Sequence, residues 1–331
     1  MVQIWDKHLR WKLKELDKII LPKYQEQSIK YKRDDAQYEK DYMKRIKEII
    51  RNLTSFIKKA VANLNFHRGK GAKPKLKIEQ RLRLILIHQL MGKSNRNMAY
   101  MLDLFSMMTG IDISYKTVER LYSDPEVETA LHNLLILVLK KKKVNEIDCC
   151  GDATGYSLMV SKHYATEVQE RKDKAKKQSK KRRMFVYKFA LMDLQTKMYV
   201  CYGTSLISEA KAFHKAMEML KELDISIKSI RLDRYYSNPC YVNLFPNSKV
   251  YIIPKKNSTM GKGIKWINTM RRFVLDTWNY LKEYFQRVNS ENGFGVDKKL
   301  FGWKVSQKRH DRIDNALFCR CVWHNLFYLF S

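Results

Sequence analysis

Apolar side chains recur every three or four positions through the first 66 residues. Leu9, Leu13, Leu16, Ile19 and Ile20 form one series, and Met43, Ile46, Ile49, Ile50, Leu53 and Ile57 a second. That period predicts two amphipathic helices, separated by Pro22 and the polar run through Gln27 to Asp35. HRGKGAKPK, His67 to Lys75, follows; glycine, proline and basic residues without an apolar face predict a linker. Three shorter periodic runs come next, Lys77 to Met91, Asn95 to Thr109 and Ser114 to Tyr122, the last two parted by Gly110, Ile111 and Asp112. Ser114 stands where an N-cap is wanted, so SYKTVERLY reads as the second helix of a helix-turn-helix. Its polar face offers Tyr115, Lys116, Glu119 and Arg120. A plain three-helix bundle has the same periodicity.

After Leu131 to Leu139 and the lysines 140–143 the texture changes. Asn145 to Ala153, Met184 to Met192, Met198 to Gly203, Ser229 to Leu232 and Lys249 to Ile253 are short, β-branched or aromatic, and bounded by turn residues. A helix, Ser208 to Leu223, precedes the fourth. Two hairpin-linked strands after the first, then a helix and two more, predict an α/β domain with a mixed sheet flanked by helices. The apolar segment Asn315 to Phe330 carries Arg320, His324 and Asn325 and falls short of the roughly 20 residues a membrane span needs, so it reads as a buried helix. The expected organisation is a helical region 1–66, a basic linker 67–76, a helix-turn-helix-like domain 77–143 and a catalytic-type domain 144–331.

Charge sharpens this picture. The 331 residues hold 65 Lys and Arg against 34 Asp and Glu, a net charge of +31. So positive a chain repels itself unless a polyanion neutralises it, which makes nucleic acid the leading partner. Lys116, Arg120, Arg182 and Arg183 are the candidate DNA contacts outside the acidic site, the last two in the basic run Arg171 to Arg183 between the first two strands. Charged residues among the first twenty exclude a signal peptide, so the expectation is a cytoplasmic protein that joins the nucleoid when bound to DNA. Six cysteines make no disulfide framework and read as free thiols. MGKGIK lacks the spacing of a phosphate-binding loop, which argues against ATP use. Cys319, Cys321 and His324 splay around one helix and read as core rather than zinc ligands. Trp266, Trp278 and Trp303 read as packing residues, with base stacking the alternative.

In so basic a chain, acids at strand ends need a reason. Asp152 follows the run Ile147 to Gly151, and Asp233 stands directly after Ile230 to Leu232. Glu291 falls in a helical stretch beginning near Thr269. Two strand-end aspartates and a helical glutamate supply the oxygen ligands that two magnesium ions need. Tyr284, Arg287, Glu291 and Lys298 recur at offsets of 3, 7 and 14, so a continuous helix would carry a ligand and two cations on one stripe. Val274, Leu281, Phe285 and Val288 would then face the sheet. Asp148 reads as a strand-surface acid, Asp193 as serving the turn that follows it, and Glu209 as a first-turn acid of a helix.

The segments GDATG, RLDRYYSN and YFQRVNSENGFGVDK, holding Asp152, Asp233 and the Tyr284, Arg287, Glu291, Lys298 spacing, resemble the DDE transposases of bacterial and archaeal insertion sequences over residues 145–331. The resemblance implies a ribonuclease-H-like fold, Asp152, Asp233 and Glu291 as catalytic ligands of two Mg²⁺ with Mn²⁺ as a substitute, and Arg287 and Lys298 on DNA phosphates with Tyr284 beside them. It further implies cleavage at element ends, strand transfer into target DNA, and a homodimer on DNA. Tyr235 stands where the family often has a small residue and is expected to constrict the turn, and the 57 residues between Asp233 and Glu291 leave no room for a large β-rich insertion. A catalytically inert DNA-binding relic or repressor, and a structure-directed nuclease of the same fold, are the alternatives.

Overall fold

A computed structural model describes residues 4–27, 34–66, 74–92, 97–158, 185–261 and 263–330. The basic run Arg171 to Arg183, and with it Arg182 and Arg183, lies outside the described residues, as does most of the 67–76 linker.

Helix α1 (Asp6–Gln27) passes through Pro22, where the sequence pattern expects a separation. Asp34 caps α2 (Asp35–Val61) by accepting the Gln37 N–H at 3.0 Å. Its buried stripe is Ile49, Leu53, Phe56 and Ile57, while Met43 and Ile50 of the same series stay exposed. Helices α3 (Ile78–Met91), α4 (Ala99–Thr109) and α5 (Tyr115–Leu121) fall where the periodicity predicts them. Gly92 and Gly110 end the first two in the left-handed conformation that glycine adopts without strain. Asp124 then opens α6 (Pro125–Lys141), with Pro125 at its first position.

The sheet holds β1 (Glu146–Leu158), β2 (Phe185–Asp193), β3 (Tyr199–Ser205), β4 (Ser226–Leu232) and β5 (Lys249–Tyr251) in the order β3-β2-β1-β4-β5. β2 runs antiparallel to β1 and β3, whereas β4 is parallel to β1 and to β5. A two-residue strand, β6 (Lys304–Val305), pairs with the far end of β1 and has no signal in the hydrophobic pattern. Helix α7 (Glu209–Lys221) follows β3, and a short α8 (Pro239–Val242) follows β4. Helices α9 (Ile264–Leu275), α10 (Thr277–Phe285), α11 (Val288–Phe301) and α12 (His310–Leu329) complete the chain.

Alternation along β2 shows how the layers lie. Lys188 meets Asp297 of α11, while the next residue, Phe189, stacks edge-on against Phe213 of α7 at 4.9 Å. Thus α7 covers one face and α11 with α12 the other. Helix α12 is buried on nearly every side, as its apolar sequence predicts, because the amino-terminal helices pack on it from outside. Trp323 Nε1 donates to the Leu86 carbonyl at 2.8 Å and Asn315 Nδ2 to the Tyr122 carbonyl at 2.9 Å, so buried hydrogen bonds cross the boundary expected near residue 143. Five of the six cysteines are buried free thiols, and Cys240 is exposed. Among the described residues, no helix is long and apolar enough to cross a membrane.

Candidate active site

Parallel pairing of β1 with β4 sets Gly151 opposite Leu232, which leaves the next residues, Asp152 and Asp233, side by side. Asp152 Oδ1 accepts the Ala153 N–H at 2.8 Å. Asp233 Oδ1 accepts the Tyr235 N–H at 2.8 Å and so caps the 3-10 turn Arg234–Tyr236. Tyr235 is 45% exposed and its ring meets that of Tyr236 edge-on at 5.2 Å.

The third acid comes from across the sheet face. Glu291 lies in the first turn of α11, four residues after Arg287 at that helix's N-cap, so the two side chains share one face. Arg287 Nη1 stands 2.8 Å from Asp152 Oδ2, 2.7 Å from Glu291 Oε1 and 3.5 Å from Asp233 Oδ2. One nitrogen therefore gathers carboxylates from a strand, a strand end and a helix. Burial pushes the Asp152 carboxyl up to about 6, with Arg287 and the Ala153 N–H opposing and Asp233 and Glu291 adding to it. Burial works against the Arg287 cation, yet Tyr284 and the three acids outweigh it and hold the guanidinium above its ordinary value.

The other two residues of the spaced motif flank this centre. Lys298 Nζ donates to the Thr154 hydroxyl, two residues beyond Asp152 on the same strand face, and lies 4.6 Å from the Trp303 ring. Burial, with Lys188 nearby, lowers its pKa. Tyr284 is buried with its ring 6.0 Å from the Arg287 guanidinium carbon.

The helix carrying this motif is not continuous. Three helices span Ile264 to Phe301, and a turn at Gln286 and Arg287 sets Tyr284 on α10 and Glu291 on α11. Ser290, Gly293, Phe294, Asp297 and Phe301 form the buried face of α11, not an extension of the Val274, Leu281, Phe285 and Val288 series. A Cβ on Gly293 would meet the Met192 side chain at 2.3 Å, so the missing side chain lets the helix approach the sheet. Asp297 is fully buried. Its carboxylate accepts from Lys188 Nζ at 3.3 Å and from the Tyr199 hydroxyl at 3.0 Å, and His324 Nδ1 lies 2.7 Å away. Burial raises the Asp297 pKa, but His324 and Lys188 outweigh it and hold the acid below its ordinary value. No sequence pattern singled out Asp297 or Lys188, because their partnership exists only across the fold.

The remaining candidates are placed as follows. Lys116 and Arg120 are exposed on α5, whereas Glu119 of the same face is engaged by Lys116 at 2.9 Å and by Arg312 of α12. Asp148 accepts from the Ser229 hydroxyl, and Asp193 serves its turn by accepting from the Thr196 N–H at 2.8 Å. Glu209 is a first-turn acid, as expected, and also accepts the Tyr236 hydroxyl at 2.7 Å; burial and Asp233 raise its pKa against that hydrogen bond. Trp266 is core, while Trp278 and Trp303 are 47% and 66% exposed.

Asp152, Asp233 and Glu291 supply hard oxygen donors, the chemistry that suits Mg²⁺. A cation, the guanidinium, already stands among them, so the donor set fits a positive guest. Among the described residues no three His, Cys, Asp or Glu stand at metal-holding spacing.

Comparison with known proteins adds a relative over nearly the whole chain. The sequence is 39% identical over 326 residues, 98% of this chain and 97% of the relative, to a probable transposase for insertion sequence element ISA1214 from Archaeoglobus fulgidus. No protein-family model matches the chain.

Proposed function

Because the chain belongs to the insertion-sequence transposases, we propose that it is a DDE-type enzyme that binds the terminal repeats of its own element and cuts and joins DNA at Asp152, Asp233 and Glu291. One observation carries this reading: carboxylates from three elements, far apart in sequence, lie within 3.5 Å of a single nitrogen. The two aspartates at the carboxyl ends of adjacent parallel strands support a ribonuclease-H-like catalytic domain.

In the proposed reaction water attacks the scissile phosphorus and displaces the 3′-oxygen. The freed 3′-hydroxyl then attacks a target phosphodiester in the same way, so no covalent protein intermediate is needed. Asp152, Asp233 and Glu291 would hold two Mg²⁺, which when bound activate the attacking oxygen and stabilise the leaving one. Mn²⁺ would substitute.

The chain's own cations orient the DNA. Arg287 and Lys298, which lie against the strand that carries Asp152, bind backbone phosphates in this reading, and the buried Tyr284 ring backs the Arg287 guanidinium. Asp297 anchors α11, and thereby Glu291, to the sheet. Helices α3 to α5 form the proposed helix-turn-helix, in which Lys116 and Arg120 contact phosphates. Arg182 and Arg183 have the same proposed role. The DNA partners are double-stranded element ends and target DNA, bridged by a homodimer.

Cleavage of terminal-repeat DNA with Mg²⁺, and its loss with Ca²⁺ or in Asp152→Ala, Asp233→Ala and Glu291→Ala that still shift the DNA, is the expected result. Binding without cleavage by the wild type would leave a DNA-binding relic, and cutting without joining a nuclease.

A further inference from the structure

We propose that Arg287 is a latch on the metal site: in the DNA-free protein its guanidinium holds the place between Asp152, Asp233 and Glu291 that divalent cations need, and a DNA phosphate draws it out. This rests on the two-metal reading above and adds a competition between Arg287 and the ions that the reading does not require.

The geometry supports exclusion. A terminal guanidinium nitrogen bears two hydrogens, enough to bond two of the three acids. Asp152 at 2.8 Å accepts one of them in a hydrogen bond, while Glu291 at 2.7 Å and Asp233 at 3.5 Å are held by charge. Magnesium binds carboxylate oxygen at about 2.0–2.1 Å. The same oxygens therefore close around an ion only after the larger guanidinium group leaves.

The arginine also has a destination. It caps α11 at a turn beside the rim of the site, where the Glu291 side chain is 50% exposed. Its planar fork binds a phosphate as well as a carboxylate. An incoming phosphodiester would compete with the acids for the guanidinium and leave their oxygens to the metal ions. Linkage makes the effect reciprocal: if DNA tightens metal binding, metal tightens DNA binding by the same factor.

The test is Mn²⁺ binding to the full chain, read from the free-ion electron paramagnetic resonance signal. It is run with and without a duplex of the element's terminal repeat, after subtracting ions held by the duplex alone. The expected result is that DNA tightens Mn²⁺ binding to the wild type about tenfold or more, within the usual range of coupling energies. Arg287→Gln should bind Mn²⁺ without DNA about as tightly as the wild type does with it, leaving DNA little to add. The wild-type pair can overturn the latch even if the variant does not fold, and the variant separates the latch from ligation of the ions by the DNA phosphate itself. Equal wild-type affinity in both states, or weaker DNA-free binding by a folded Arg287→Gln, overturns the latch and leaves the two-metal reading intact. A wild type that holds no Mn²⁺ with DNA present overturns both.

Discussion

Asp297→Asn tests whether a buried charge network moors the catalytic helix. The substitution keeps shape but removes the negative charge facing Lys188, whose side chain is fully inaccessible to solvent. A buried cation left without its partner costs about 3–5 kcal/mol. The asparagine still offers oxygen to the Tyr199 hydroxyl, which argues for the lower end, near 3 kcal/mol. For a chain of this size that corresponds to a Tm lowered by roughly 4 °C. The assay is urea unfolding followed by circular dichroism at neutral pH, on Asp297→Asn, Lys188→Met and the double variant. With both charges gone no ammonium is stranded and only His324 still lacks its carboxylate, so the double variant should recover roughly 2 kcal/mol relative to the sum of the singles. A loss under about 1 kcal/mol for Asp297→Asn, or singles that simply add, would refute the account of how α11 is held.

Three further outcomes follow from the same structure. The folded-state pKa of Asp297 lies below its ordinary value, so its contribution is full above the unfolded carboxylate pKa, about 3.9, and is lost as pH falls through the folded value; the stability gap between wild type and Asp297→Asn should narrow below about pH 4 in the same unfolding assay. Gly203→Ala should destabilise by about 1–3 kcal/mol, because its Cβ would meet the Ala212 carbonyl at 2.2 Å and the Ala216 nitrogen at 2.5 Å; Gly295→Ala, with open space and a helical position, should gain about 0.5–1 kcal/mol, and thermal melts compare the two. If Lys116 and Arg120 each meet a phosphate, each alanine variant should flatten the logarithmic salt dependence of duplex binding by about 0.9, measured by fluorescence anisotropy across a salt series.

Periodic, outward-facing features were legible in the chain before folding. The 3.6-residue period located α3, α4 and α5, and short β-branched runs located β1 to β5, because each is a local pattern. Arg287 and Glu291 were legible for the same reason, since four residues is one helical turn and their side chains meet in the structure. The stripe drawn through Tyr284 failed because it needed an unbroken helix, and nothing in the composition of Phe285 to Val288 announces the turn there. Met43 and Ile50 show a related limit: a period says which residues share a face, but only the tertiary packing decides how wide a face is covered.

What stayed hidden is polar and inward. Ser290, Gly293 and Asp297 on α11 look like a solvated face, and Lys188 looks like an interruption in an apolar strand. Each costs free energy if buried alone, so a local rule must place it outside. Lys188 and Asp297 are 109 residues apart, and burial becomes tolerable only when the fold supplies each with the other. The same reasoning applies to Arg287, which in sequence reads as one more cation for DNA yet in the structure stands among three acids. Carboxylates gathered at one point repel one another unless a cation or a proton stands among them. The structure sets an arginine there, and this is why metal occupancy and DNA occupancy should be measured together.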